Sequence, residues 1–477
     1  MNKAISQLLS HTSVYTLGRL IPAIVGFLTI PIYTRFLGTY GYGTFTLIIS
    51  AMSILSIIGT GWFDSVIIRF LSDTKNKNFY KQASTILVLI VLSVLIELLL
   101  SWLIIFFIVK HYDLELFRLS YYAIPALVAL SVFRPLMNFF RVFNKAWLYT
   151  IFQSSYSIFR FGLTLTFFFT FNPDVKWIFV SYFIVGIVLI IMALIFIFFR
   201  IRLTVLSKAT VKEIYRFGLP YIPLMVSHWV LNLMNRFFIE IELGRDAVGI
   251  YSASFNLVDQ SIGILYLGMM LAFYPALVRL WETSRKEGER YMTRGLKIFG
   301  FIAIPAAFGI ISIGDLIINL IATEAFIPNR GLLILFTLTV LLVGLNQYLS
   351  KPFELEKKTH IIMGMFMASA GLNILLILPL LKVFGLTGAA LSSCLSVLFL
   401  TLMLFFYGRK WLPYTFPVHL YWKIILASAV MTCLIVSIRL WIVNPYLQLF
   451  LAIGGGVLVY LFICHKENVL REIFANK

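Results

Sequence analysis

The chain has 477 residues, 61% hydrophobic and 12% charged, whereas a soluble domain carries about 25% charged residues. It lacks the polar surface that water requires, so its solvent is lipid. The net charge of +19 raises nucleic acid as a partner, and the placement of that charge along the chain excludes it.

Fourteen apolar segments of spanning length are predicted in chain order, at about 11–35, 43–67, 84–109, 119–143, 149–171, 177–199, 215–238, 247–275, 297–321, 331–350, 360–380, 384–407, 420–440 and 445–464. The fold class is therefore an all-α polytopic membrane protein. The first segment follows MNKAISQLLSHTS without a small-residue cleavage site, so it is expected to persist as a helix and not to be removed as a signal peptide. With both termini in the cytoplasm, the cytoplasmic segments hold 26 Lys and Arg residues and the opposite side nine. That asymmetry sets the orientation. It also explains the basic charge without nucleic acid, because anionic inner-leaflet lipid attracts such loops.

The stretch LGTYGYGTF after the first segment returns as LGRDAVGIY, so that Leu37, Gly38 and Gly43 match Leu243, Gly244 and Gly249 at one offset of 206 residues. Two six-helix halves in parallel orientation are expected, followed by two further helices. The resulting division is an N-terminal lobe over 1–199, a cytoplasmic linker over 200–214, a C-terminal lobe over 215–407, and two added helices with a cytoplasmic tail over 408–477. The longest charged linkers, 200–216 and 279–297, are cytoplasmic, and the second reads as an amphipathic surface helix. Outward loops are about ten residues or fewer, too short for the acceptor-binding domain of a membrane polymerase or glycosyltransferase. There is no GxxxxGK[ST] loop for nucleotide phosphates. Cys394, Cys433 and Cys464 lie in apolar runs without metal-ligand spacing and read as buried free thiols. No enzyme activity, cofactor or metal is predicted.

Charges within the spans carry the functional information, because an arginine in the hydrocarbon costs at least about 2.5 to 3.5 kcal/mol. Arg19 sits 16 residues before Arg35, about 24 Å from the outer boundary at 1.5 Å per residue. It either snorkels to the cytoplasmic interface or faces inward with Tyr15, Pro22 and Gly26. Arg160 lies 15 residues after Lys145 and 14 before Asp174, close to mid-membrane. It belongs to a polar stripe of Gln153, Ser157, Arg160 and Thr164 at i, i+4, i+7, i+11, one face of a helix. The fourth helix repeats that spacing with Arg134, Asn138, Arg141 and Lys145. In the second half His228, Asn232 and Asn235 share a face, with Arg236 nearby, and Asn256, Asp259 and Gln260 follow on the next helix. Glu97 stands near the middle of the third.

Each of these groups has a structural alternative as an inter-helix hydrogen bond or a buried pair such as Arg160 with Glu97 or Asp259. Stripes on several helices suit a shared wet cavity instead. Arginines on its walls fit an anionic cargo, since guanidinium groups grip phosphate oxygens in bidentate fashion. The predicted substrate-binding residues are Arg19, Arg134, Asn138, Arg141, Gln153, Ser157, Arg160 and Asn232. Asp259, Glu97 and His228 are the candidates for coupling transport to a proton. Tyr156 and Trp229 are the aromatic candidates of these spans, for the sugar rings that the family resemblance described below implies as cargo, or for packing.

The run SVYTLGRLIPAIVGFLTIPIYTRFLGTYGYGTFTLIIS, from Ser13 to Ser50, resembles the N-terminal signature of the polysaccharide-transport branch of the multidrug/oligosaccharidyl-lipid/polysaccharide flippase superfamily, which includes O-antigen and capsule-unit flippases. Chain length, fourteen helices and the repeat agree with it. The resemblance implies two six-helix lobes that alternate in access and flip a polyprenyl-diphosphate-linked oligosaccharide to the outer leaflet of a bacterial inner membrane. It implies a cationic lumen, for which Arg19, Arg134, Arg141 and Arg160 are the candidates. It also implies membrane lipids, a polysaccharide polymerase and a chain-length regulator as partners. Two other readings share the scaffold: a cation-coupled drug or ion antiporter, and a non-catalytic partner in a polymerase complex.

Overall fold

The computed structural model describes the backbone of residues 3–73, 78–201, 204 and 207–474; within these, the side chains of 3–17, 19, 108, 271, 272 and 474 lie outside the description. Among the described residues the secondary structure is helical throughout, with no strand. All fourteen predicted spans have a helical counterpart.

The first two spans form one helical element, Lys3–Ser56, kinked at Gly38. It continues through a π turn, Ile57–Gly61, into Phe63–Phe70. The third to sixth spans are Phe79–Ile104, Leu114–Val142, Ala146–Thr170 and Val175–Phe198. The seventh is interrupted: Lys208–Gly218, a 3₁₀ turn at Leu219–Tyr221, Ile222–Trp229, a π turn at Val230–Met234, then Asn235–Leu243. Pro220 and Pro223 remove backbone donors there, which accounts for the first break. The eighth to fourteenth spans are Arg245–Thr283, Arg285–Ile321, Arg330–Leu349, Thr359–Phe384, Leu386–Gly408, Val418–Trp441 and Pro445–Lys466.

Among the described residues eleven helices are long and apolar enough to cross a membrane, and one of them, Leu20–Phe70, contains two spans. The fifth and the broken seventh are not among the eleven. These are the two that carry the predicted polar stripes of Gln153 to Thr164 and His228 to Asn235.

Helix starts follow local chemistry. Asp113 Oδ1 accepts from the amides of Glu115 and Leu116 at 2.8 and 3.0 Å, opening the fourth span. Asn444 does the same for Tyr446 and Leu447 at the start of the fourteenth. Gly38 has φ 66° and ψ −175°, and Gly244 has φ 81° and ψ 178°. That region of backbone space is essentially restricted to glycine. The internal repeat read from sequence thus recurs as one backbone conformation at both positions.

The side chains confirm lipid as the solvent. The third span buries Ser84, Thr85, Ser93, Glu97 and Ser101 and exposes Leu92, Leu95, Ile96 and Leu99. The twelfth likewise buries Ser392, Ser393 and Ser396 and exposes Leu395, Leu398, Phe399 and Leu402. Polar atoms turn inward because only other helices can satisfy them in hydrocarbon. Ser369 of the eleventh span, for example, donates to the Ser396 carbonyl.

The chain divides into two compact units, Met1–Arg236 and Phe237–Lys477, with the division inside the seventh span. In the first unit, Trp62, Phe63, Phe133, Phe139, Phe140 and Tyr156 belong to one buried cluster. A Cβ at Gly186 would come within 2.7 Å of Ala129 Cβ, so small residues let the fourth and sixth spans pack closely. In the second unit, the last two spans are fastened to the ninth. Arg439 forms a bidentate pair with Asp315, both bonds 2.9 Å. The Tyr421 and Tyr460 hydroxyls donate to the carbonyls of Leu296 and Phe301, each at 2.8 Å. Of the three cysteines, Cys394 and Cys464 are buried; Cys433 is exposed, contrary to the expectation of three buried thiols.

Candidate functional site

The fourth-span stripe converges on a carboxylate that the sequence reading passed over. Asp64 opens the short helix Phe63–Phe70, just after the π turn that ends the second span. Arg134 Nε donates to its Oδ2 at 2.7 Å and Asn138 Nδ2 to its Oδ1 at 2.8 Å. Arg141 Nη1 then donates to Asn138 Oδ1 at 3.1 Å. The predicted spacing holds for Arg134, Asn138 and Arg141, which share a face; Lys145 does not belong to it, because the helix ends at Val142 and Lys145 caps the start of the fifth span. Two guanidiniums stand against one carboxylate, Arg134 directly and Arg141 through Asn138, so the cluster keeps a net positive charge. Asn138 is buried, whereas the Arg134 side chain is 46% exposed. Among the described residues the Nη atoms of Arg134 make no hydrogen bond, which leaves a fork free for a phosphate or carboxylate.

Arg160 is placed differently. Its guanidinium carbon lies 4.6 Å from the centroid of the Tyr182 ring and 5.2 Å from that of Tyr156. Among the described residues no carboxylate lies within ion-pairing distance of it, so the alternative of a buried pair with Glu97 or Asp259 is not found. Aromatic faces hold the cation in a set orientation without neutralising it. The rest of its stripe is mostly packed: Ser157 and Thr164 are buried, with Thr164 Oγ1 donating to the Arg160 carbonyl at 2.8 Å. Gln153 is half-buried. The first span packs directly on this helix, since a Cβ on Gly18 would lie 2.8 Å from Thr150 Oγ1. The Arg19 side chain lies outside the described residues.

Glu97 is 4% exposed and accepts from Ser131 Oγ at 2.7 Å through Oε1, while among the described residues its Oε2 has no hydrogen-bond partner. It faces the π turn, where a Cβ on Gly59 would lie 2.5 Å from Oε2. Ser131 and Arg134 are three residues apart on one helix. Spans two, three and four are therefore joined by a polar seam running from Glu97 through Ser131 to the Asp64 cluster.

The remaining predicted polar residues lie on the seventh and eighth spans. Asn232 is exposed, and its Nδ2 donates to the His228 carbonyl at 2.7 Å, beside the exposed His228. Arg236 is 3% exposed and donates to the Asn232 carbonyl at 3.3 Å. Asp259 is half-buried and belongs to the second unit. The two aromatic candidates for sugar stacking are already engaged. Tyr156 is 5% exposed and stacked on Phe133 with centroids 4.6 Å apart. Trp229 Nε1 donates to the Ser50 carbonyl at 3.0 Å.

The fold is shared with solved transporters. It is similar to lipid II flippase MurJ in its inward closed conformation, with a TM-score of 0.81 at 17% identity, over 97% of this chain and 99% of that one. It is also similar to an inward-facing multidrug resistance MATE family transporter of the MOP superfamily, with a TM-score of 0.64 at 16% identity, over 83% and 97% of the two chains. In sequence, the chain is 22% identical over 250 residues to "Probable low-salt glycan biosynthesis flippase Agl15" of Haloferax volcanii, 52% of each chain. It is 26% identical over 175 residues to "Probable flippase AglR" of the same organism, 35% of each chain. The chain thus spans about half or less of the length of the curated relatives it matches. A family model described as polysaccharide biosynthesis protein matches residues 8–281, more than half of the chain, and this multi-pass membrane protein belongs to that family.

Proposed function

We propose that the chain is a flippase that carries a polyprenyl-diphosphate-linked oligosaccharide from the cytoplasmic to the outer leaflet by alternating access, with both termini in the cytoplasm. The observation that supports this reading most directly is the state of the arginines. Arg134 keeps an open guanidinium fork beside a single shared carboxylate, and Arg160 is held by Tyr156 and Tyr182. Both are suited to grip a diphosphate and to release it. A guanidinium neutralised by its own carboxylate would have little left for a cargo, and one without any support would not keep its orientation in a low-dielectric wall.

The same arrangement disfavours a cationic cargo. Asp64 is taken up by Arg134 and Asn138. Outward movement of an anion also gains about 2.3 kcal/mol per charge per 100 mV from a negative-inside potential. The test is reconstitution in liposomes with a labelled polyprenyl-diphosphate oligosaccharide, following label that becomes accessible to an impermeant reagent on the far side. Protein-dependent movement that Arg160→Ala abolishes supports the reading. Transport of a small cationic dye with no movement of any glycan overturns it in favour of an antiporter.

A further inference from the structure

The second unit carries a basic cleft that the flippase reading does not use. The ninth span, Arg285–Ile321, begins with polar turns before its apolar stretch. Lys286, Arg290, Arg294 and Lys297 fall there at i, i+4, i+8 and i+11, so they share one face. They line a cleft of about 720 Å³ together with the segment 413–417 and Ile473 of the C-terminal helix. That volume falls within the range of about 300–1,000 Å³ of small-molecule sites.

The walls are fixed from several directions. The Thr415 amide donates to Thr293 Oγ1 at 3.1 Å, which holds the segment against the helix. Lys297 Nζ donates to the Glu472 carbonyl at 2.8 Å. Lys423 pairs with the Glu472 carboxylate and so removes that negative charge from competition for the cleft cations. Arg285, one residue before the stripe, turns instead to Glu356 at 3.0 Å. Glu287 and Glu289 also line the cleft, leaving four cations against two carboxylates.

The lining is half apolar, with Leu280, Pro413 and Pro417 beside the cations. One residue after Pro417 begins the stripe Val418, Trp422, Leu426 and Val430, exposed by 50% or more at i, i+4, i+8 and i+12 of the thirteenth span. A cationic cleft whose wall runs on, one residue past Pro417, into an exposed apolar stripe matches an amphiphile with a phosphate head and acyl tails. We infer that the cleft is a binding site for the phosphate of an anionic phospholipid headgroup, gripped by Lys286, Arg290 and Arg294, with the acyl chains along Val418, Trp422 and Leu426.

The inference is independent of the flippase reading, because its readout is binding. The full-length protein is titrated with phosphatidylglycerol in phosphatidylcholine nanodiscs, and separately with inorganic pyrophosphate in detergent. The Arg290→Ser/Arg294→Ser pair should bind phosphatidylglycerol about thirtyfold more weakly, each cation near an anionic surface being worth about a fivefold change. Arg290→Lys/Arg294→Lys should retain most of the binding, which separates loss of charge from misfolding. Lys208→Ser/Lys212→Ser removes two exposed cations of the other cytoplasmic linker and reads the general surface attraction alone, so its weakening should be clearly smaller than that of the arginine pair. Equal weakening in that control pair, or no weakening in the arginine pair, overturns the site. Pyrophosphate binding as tight as the lipid, with the same arginine dependence, assigns the cleft to soluble phosphates and overturns the lipid.

Discussion

Arg134 and Asp64, seventy residues apart in sequence, meet at 2.7 Å across the second and fourth spans. The pair is shared: Asn138 holds the other oxygen of the same carboxylate, and Arg141 leans on Asn138. One acid thus fixes the rotamers of a whole basic stripe while leaving that stripe cationic.

Removing the acid should therefore damage the stripe through its geometry. Asp64→Ala leaves Asn138 without its acceptor and Arg134 unpaired, a loss of about 1.5–3 kcal/mol for hydrogen bonds to a charged group. The lower end is expected, because the Arg134 side chain is 46% exposed and water screens it. Thermal unfolding of Asp64→Ala, Arg134→Ala and the double variant should give a coupling of at least about 0.5 kcal/mol. Strict additivity would show that the pair contributes nothing.

Arg160 is expected to separate the two basic residue types. Its guanidinium sits over the rings of Tyr182 and Tyr156, a contact that an ammonium reproduces as charge but not as a bidentate fork. Arg160→Ala should abolish glycolipid movement at wild-type expression, and Arg160→Lys should retain a slowed fraction. Normal transport by both variants would reduce the residue to packing.

The contact between Gly59 and Glu97 predicts a repair experiment. A methyl group at Gly59 would lie 2.5 Å from Glu97 Oε2, and overpacking of this kind costs about 1–3 kcal/mol. Gly59→Ala should lower the melting temperature, and Glu97→Ala in the same chain should recover part of the loss by vacating the space. No recovery would mean that the π turn itself, and not the carboxyl, requires the glycine.

Three glycines test backbone against side-chain effects. At Gly38 and Gly244 a Cβ meets nothing within 4 Å, yet both have positive φ. Alanine at either should cost about 1–3 kcal/mol from backbone strain. Gly162 is equally uncrowded but lies within the fifth helix, where alanine should stabilise by up to about 1 kcal/mol. Unfolding of the three single variants checks the opposite signs. Destabilisation of Gly162→Ala to the same extent would remove backbone strain as the explanation.

Much of the scaffold was legible because it depends on local chemistry. Fourteen runs of apolar residues became helices, since a backbone in lipid can satisfy its amides only within the segment or within a closed barrel. The repeat around Gly38 and Gly244 was legible because glycine is the residue that occupies their backbone region. The stripe of Arg134, Asn138 and Arg141 followed from 3.6-residue periodicity. The π turns at Ile57–Gly61 and Val230–Met234 were not legible, because their extra residue per turn leaves no mark in composition. Asp64 was missed because a single acid in GTGWFDSVIIRF shows no partner within its own helix.

By itself, then, the sequence determined the solvent, the number of spans and which residue types each span presents on each face, all set by helical period and transfer energy. Only the tertiary structure decided what those faces meet. Arg134 received a carboxylate, Arg160 two aromatic rings, and Ser157 and Thr164 the inside of a helix contact, although the spacing of Arg160, Ser157 and Thr164 placed them on one stripe. The physical reason is that a face about 100° wide is a local property. The neighbour that fills it comes from a helix tens of residues away, brought there by packing that no local pattern encodes.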